Sequence, residues 1–135
     1  MLIKICGAFP VDRGAGDNSA IDRAISDLKK GRIFVIFPEG TRSKDGTIGR
    51  AKSGVALIAA TAAVPVLPVC IMYGLGNKKN LDFAVGNMIP AEELKMESED
   101  RRALKQISAR ILDSIKELQT QILQERGESL EQRDI

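Results

Sequence analysis

Apolar and polar positions follow different periods along this chain, and each period predicts a different element. The plainest lies toward the C-terminus, where Leu104, Ile107, Ile111, Ile115, Leu118 and Ile122 recur at intervals of three and four. That spacing predicts a long amphipathic helix over residues 98–125, packed on its own domain or on a neighbouring chain. Its polar face mixes acids and bases, whereas a membrane-surface helix carries a basic one. A shorter helix is predicted by Ile21, Ala24, Ile25 and Leu28. Asp17-Asn18-Ser19 supplies its N-cap chemistry, and Gly31 stops it after Lys29-Lys30. Ala51 to Ala63, rich in Ala, predicts a helix buried nearly all round and ended by Pro65.

The strand signals differ from these. Ile33-Phe34-Val35-Ile36-Phe37 is an unbroken apolar run, β-branched and aromatic, of the kind buried on both faces of a parallel sheet. Val66 to Tyr73 predicts a second strand, in which Pro68 marks an edge, a bulge or a strand start. Leu81 to Val85 predicts a third, with Gly86-Asn87 turning after it. Upstream, Gly7 to Gly14 reads as a short strand entering a loop, and Met1 to Cys6 as the end of an element whose beginning lies earlier. Alternating helices and strands give an α/β class: a mainly parallel sheet flanked by helices, N-terminally incomplete, with a long C-terminal amphipathic helix. Residues 1–125 form part of a single domain, and 126–135 a polar tail.

Composition narrows the chemistry. A chain of 135 residues, 44% hydrophobic and 28% charged, suits one folded domain rather than a disordered segment. It contains no His, which excludes an imidazole base, a His-bearing zinc site or half of a catalytic dyad within it. No metal site and no cofactor is expected. Cys6 and Cys70 sit in apolar runs and read as buried, reduced thiols of a cytoplasmic protein. Five aromatics, four Phe and one Tyr, argue against base stacking and nucleic-acid binding. The longest apolar stretch, Gly54 to Val69, is too short to span a bilayer and is broken by Pro65 and Pro68. Charge is uneven: residues 1–90 hold 12 basic and 7 acidic side chains, residues 91–135 hold 8 and 11. The first part suits an anionic partner.

The segment Phe37-Pro38-Glu39-Gly40-Thr41-Arg42-Ser43 directly follows a predicted strand, where ligands bind in open α/β sheets. Its Gly, Thr and Arg offer backbone N–H groups, a hydroxyl and a guanidinium, the donors a phosphate takes. Glu39 would orient Arg42 or bind a substrate hydroxyl. The plain alternative is a surface loop with a capping Thr and a solvated Arg. Arg13 also ends a strand-like run, so parallel neighbours would bring Arg13 and Arg42 to one sheet edge. Independent surface arginines are the alternative. Lys44, Arg50 and Lys52 add basic groups, and no Walker A pattern is present.

These residues carry a resemblance. Phe37-Pro38-Glu39-Gly40-Thr41-Arg42-Ser43 resembles the most specific block of the 1-acylglycerol-3-phosphate (lysophosphatidate) acyltransferases. Gly7-Ala8-Phe9-Pro10-Val11-Asp12-Arg13 resembles the preceding block, Lys52-Ser53-Gly54 the Lys-x-Gly opening the following helix, and Val64-Pro65-Val66-Leu67-Pro68-Val69 the proline-bearing strand. The resemblance covers about residues 5–90. It implies acyl transfer from acyl-CoA or acyl carrier protein to 1-acylglycerol 3-phosphate, giving phosphatidic acid. By the same resemblance, Arg13 and Arg42 hold the substrate phosphate. Glu39, Gly40 and Thr41 shape the acceptor site, with Lys52, Pro65 and Pro68 supporting it.

The resemblance further implies lysophosphatidic acid, an acyl donor and a membrane surface as partners. It places the protein in the cytoplasm, peripheral at the inner face of the membrane, any anchor of the intact protein lying upstream. The family's His-x-x-x-x-Asp block has no counterpart, so the expectation is the C-terminal portion of a longer acyltransferase, inactive alone. A non-catalytic module for anionic lipid or phosphate is the alternative.

Overall fold

The computed structural model describes residues 19–41, 46–74, 81–96 and 100–127. Three helices and one hairpin account for most of them. Helix α1 (Ser19–Lys29) presents Ala24, fully buried, to α2 (Ser53–Ala62). After α1, Gly31 takes φ +77°, the left-handed conformation that ends a helix with least strain on a residue lacking Cβ. In α2, Val55, Ala56, Ile58 and Ala59 are buried. Its stop is less comfortable: Ala63 caps it at φ 53°, ψ 46°, a left-handed position held by a residue with a side chain.

Strands β1 (Val69–Tyr73) and β2 (Leu81–Val85) pair antiparallel, with Val69 opposite Val85, Ile71 opposite Phe83 and Tyr73 opposite Leu81. A bridge between Val66 and Ile89 extends the pairing beyond Pro68. Of the three readings open for Pro68, strand start fits: it immediately precedes β1, and its carbonyl accepts from Gly86 N–H at 3.0 Å. Alternation sends Cys70, Met72 and Ala84 inward. A short 3₁₀ turn (Ala91–Leu94) buries Leu94.

Helix α3 (Arg101–Arg126) opens on Asp100, whose side chain accepts from Arg102 and Ala103 N–H, and closes on Gly127 at φ 66°. It organises the molecule. Its first half, with Ile107 and Ile111, packs on Val55, Ala56, Ala59, Ile89 and Leu94. Its second half, with Leu118, Ile122 and Leu123, packs on Cys70 and Met72. Ile115 touches both clusters. Every apolar position predicted for this helix faces one of the two.

Two expectations need correction or restriction. Ile33–Phe37, expected as a strand buried on both faces, is not: Ile33 is 94% exposed, Val35 78% and Phe37 73%. No described strand pairs with this stretch, so its side chains lack the neighbouring layers the composition anticipates. The described sheet is two-stranded and antiparallel, so the fold is α/β without a parallel pair among the described residues. The hairpin's outer face, Val69, Ile71, Tyr73, Leu81, Phe83 and Val85, is likewise exposed.

Candidate functional site

The segment singled out by sequence leaves the exposed 33–37 stretch as a tight turn. Gly40 N–H donates to the Phe37 carbonyl at 3.0 Å, and Gly40 takes φ +67°. That conformation disfavours any residue with a Cβ, so the glycine is required by the backbone itself. The space beside it is taken by a flexible side chain from across the loop. A Cβ at position 40 would stand 2.9 Å from Lys52 Cε, 3.0 Å from its Cδ and 3.1 Å from its Nζ. The side chain of Lys52 therefore lies against the Gly40 backbone.

Glu39 is half-buried and bonded within the loop. Oε2 accepts from Gly49 N–H at 2.8 Å, which ties the two ends of the loop together. A carboxylate accepting a backbone N–H is a charge-assisted bond, stronger than a neutral one. The loop closes again where Lys52 N–H donates to the Pro38 carbonyl at 2.9 Å. Thr41 is exposed at the turn's end.

Two polar side chains of α3 hold this loop from below. Gln119 Nε2 donates to the Gly46 carbonyl at 2.8 Å, and Ser108 Oγ lies 3.5 Å from the Lys52 carbonyl. Both residues are buried. Neither was anticipated, although the signal exists: Gln119 falls four residues after Ile115 and three before Ile122, inside the apolar stripe. A polar residue there must find a partner on whatever the stripe covers.

Cys70 completes the surroundings. It is 4% exposed on the inner face of β1, as its sequence context predicts. Burial pushes its thiol above the ordinary value of 9.0, and the negative charge of Glu39 pushes it further. A protonated, apolar thiol is a packing group rather than a nucleophile. Cys6 lies outside the described residues.

Sequence-predicted site residues thus divide. Glu39, Gly40, Thr41 and Lys52 share one loop. Pro65 is exposed beyond the α2 cap, and Pro68 is buried with its ring over Gly86, near Leu118. Pro68 borders β1 through its carbonyl, which accepts from Gly86 N–H. Arg13 and Arg42 lie outside the described residues. An open pocket of about 380 Å³ between the end of β2 and α3 includes Pro68, Gly86, Arg110 and Ser114 in its lining, and none of Glu39, Gly40, Thr41 or Lys52. No cluster of potential metal ligands occurs among the described residues.

Residues 1–72 match the family model described as Acyltransferase. The chain is 37% identical over 99 residues to the 1-acyl-sn-glycerol-3-phosphate acyltransferase of Streptococcus pneumoniae, covering 69% of this chain and 36% of that protein. It is 41% identical over 73 residues to a chloroplastic 1-acyl-sn-glycerol-3-phosphate acyltransferase of Brassica napus, covering 52% and 21%. It is 32% identical over 96 residues to the Escherichia coli 1-acyl-sn-glycerol-3-phosphate acyltransferase, covering 69% and 39%. The matches thus span between 21% and 39% of these relatives' lengths. No solved structure matches the chain significantly.

Proposed function

The chain belongs to the acyltransferase family, and we propose from that premise that it carries the acceptor-binding part of a 1-acylglycerol-3-phosphate acyltransferase. The observation that carries this reading is the Glu39–Thr41 turn, held by Gly49, Pro38 and Lys52, next to the family-specific Arg42. The reaction moves an acyl group. The free hydroxyl of 1-acylglycerol 3-phosphate attacks the thioester carbonyl of acyl-CoA or acyl carrier protein. A C–O bond forms, the C–S bond breaks, and the thiol leaves with the proton. The product is phosphatidic acid.

In this reading Arg13 and Arg42 hold the acceptor phosphate through paired, planar donors. Glu39, Gly40 and Thr41 shape the acceptor loop. Lys52, Pro65 and Pro68 support it and the strand behind it. The 135 residues hold no His, so no imidazole of theirs takes the hydroxyl proton. Base catalysis typically contributes about 10²–10⁴-fold. The 135 residues therefore bind acceptor without appreciable turnover alone, residues 1–125 being the C-terminal portion of one domain and 126–135 a polar tail.

The Ile33–Phe37 run is apolar throughout, a composition that suits a strand of a mainly parallel sheet. The protein acts peripherally at the cytoplasmic face of the membrane. No helix among the described residues is long and apolar enough to cross one.

A chimera tests this. Let this chain replace the matching stretch of the Streptococcus pneumoniae relative, and follow thiol release from acyl-CoA. Lysophosphatidate-dependent release, lost about a hundredfold on Arg42→Ala, is the expected result. A folded chimera that is inert, or indifferent to Arg42→Ala, overturns it. Lysophosphatidate binding by an inert chimera would favour the non-catalytic lipid-binding module.

A further inference from the structure

We propose that Lys52 is a phosphate-binding residue of the Glu39–Thr41 loop, its ammonium contacting the phosphate monoester of the ligand. The proposal rests on the acceptor-binding reading for the identity of the ligand, and on the following geometry for the residue. The end of Lys52 occupies the space a side chain at position 40 would fill, so its ammonium is set against the loop backbone. Its own backbone is fixed by the 2.9 Å bond to the Pro38 carbonyl. No ion pair holds the ammonium among the described residues, although Glu39 belongs to the same loop.

The Glu39 carboxylate is occupied by Gly49 N–H instead. A cation laid along a glycine turn, with its carboxylate neighbour bonded elsewhere, presents a compact positive charge at Gly40. Lys binds phosphate as such a point charge, while Arg binds it as a planar fork. Lys52 thus offers one cation at a position the turn itself defines. The first turn of α2, which begins one residue later, carries no acidic side chain.

The test is binding by the full 135-residue chain, followed by calorimetry. The probes are 1-acylglycerol 3-phosphate, 1-acylglycerol as the uncharged control, and inorganic phosphate. Lys52→Gln is expected to weaken lysophosphatidate binding roughly tenfold or more, as loss of a charge-assisted contact does, with 1-acylglycerol unaffected. Lys52→Arg is expected to restore most of it. A matching loss for inorganic phosphate assigns the contact to phosphate alone; a loss confined to lysophosphatidate assigns it to the lipid headgroup. Either supports the proposal.

Gly40→Ala supplies a second variant, because the new Cβ displaces the Lys52 ammonium while leaving its charge in place. Its melting temperature shows whether the fold survives. In the chimera, Lys52→Gln should raise KM with kcat within about twofold, the pattern of lost uniform binding. Equal lysophosphatidate affinity in the parent chain and a folded Lys52→Gln variant overturns the proposal, as does absence of phosphate-dependent binding by the parent. An inert chimera with Lys52-dependent binding refutes the acyltransferase reading and leaves this one standing.

Discussion

The Glu39 carboxylate and the Gly49 backbone N–H, ten residues apart, meet at 2.8 Å and close the loop that carries the family-specific residues. The carboxylate is thereby a loop clasp as well as a candidate acceptor-site group. Glu39→Ala should open the clasp, and amide exchange at Gly49 should quicken about tenfold, the equivalent of one charge-assisted bond of about 1.4 kcal/mol. Unchanged exchange at Gly49 would mean the clasp contributes nothing in solution.

Gln119 anchors the same loop from α3. It is 7% exposed and donates to the Gly46 carbonyl. Gln119→Ala should cost about 1–2 kcal/mol, read by urea denaturation, because it removes a buried donor and leaves a carbonyl with one partner fewer. Gln119→Leu should cost nearly as much, since the carbonyl is left equally bare. A neutral Gln119→Leu would show that water reaches the site.

Ala63 caps α2 in the left-handed region at φ 53°, and its N–H and that of Val64 bond back to Ala60 and Ala59. A Cβ in that conformation costs about 1 kcal/mol. Ala63→Gly should therefore stabilise the protein by about 0.5–1 kcal/mol, the relief of strain exceeding the added freedom of the unfolded chain. Thermal melting checks the sign.

Cys70 should titrate late. Burial and, second, Glu39 raise its thiol above 9.0, so iodoacetamide at pH 8 should modify it far more slowly in the native chain than in urea. Peptide mapping separates it from Cys6. The sign for stability follows. A raised folded value means the thiol's contribution is complete below about pH 9 and is lost as pH climbs through the folded value. Glu39→Gln should remove the smaller part of the shift.

The hairpin's outer face should govern solubility. Phe83 is 68% exposed and Ile71, its cross-strand neighbour, 57%. Phe83→Ser should reduce dye binding to exposed apolar surface and slow aggregation, while stability changes by no more than about 1 kcal/mol. Core strands tolerate no such change, so a collapse of the fold would place Phe83 against a partner.

Sequence pattern made the helices legible because burial on one face leaves a period of three and four. The six apolar positions of α3 all lie in the core. The strands were less legible. Leu81–Val85 was recognisable and Val69–Tyr73 lay within its expected range, but which strands pair, and in which direction, is a long-range choice that a short apolar run does not encode. Ile33–Phe37 shows the limit: its composition announces burial, while its neighbours among the described residues provide none.

In the candidate site, motif resemblance singled out Glu39, Gly40, Thr41 and Lys52, which share one loop. What escaped was their wiring. The Glu39–Gly49 clasp and the Gln119–Gly46 anchor join residues 10 and 73 apart, and both use backbone atoms that no side-chain motif names. Arg13 and Arg42 stand on motif resemblance alone.

Helix α3 has one more consequence, for the order in which the molecule comes into being. Residues 101–126 complete both clusters, against partners in 55–59 and 70–72 that leave the ribosome well before them. Until α3 is synthesised, both clusters lack the side that Ile107, Ile111, Leu118, Ile122 and Leu123 supply. Closure of both clusters thus waits for residues 101–126. The nascent chain meanwhile exposes both faces of an apolar hairpin, a period in which chaperone capture competes with folding.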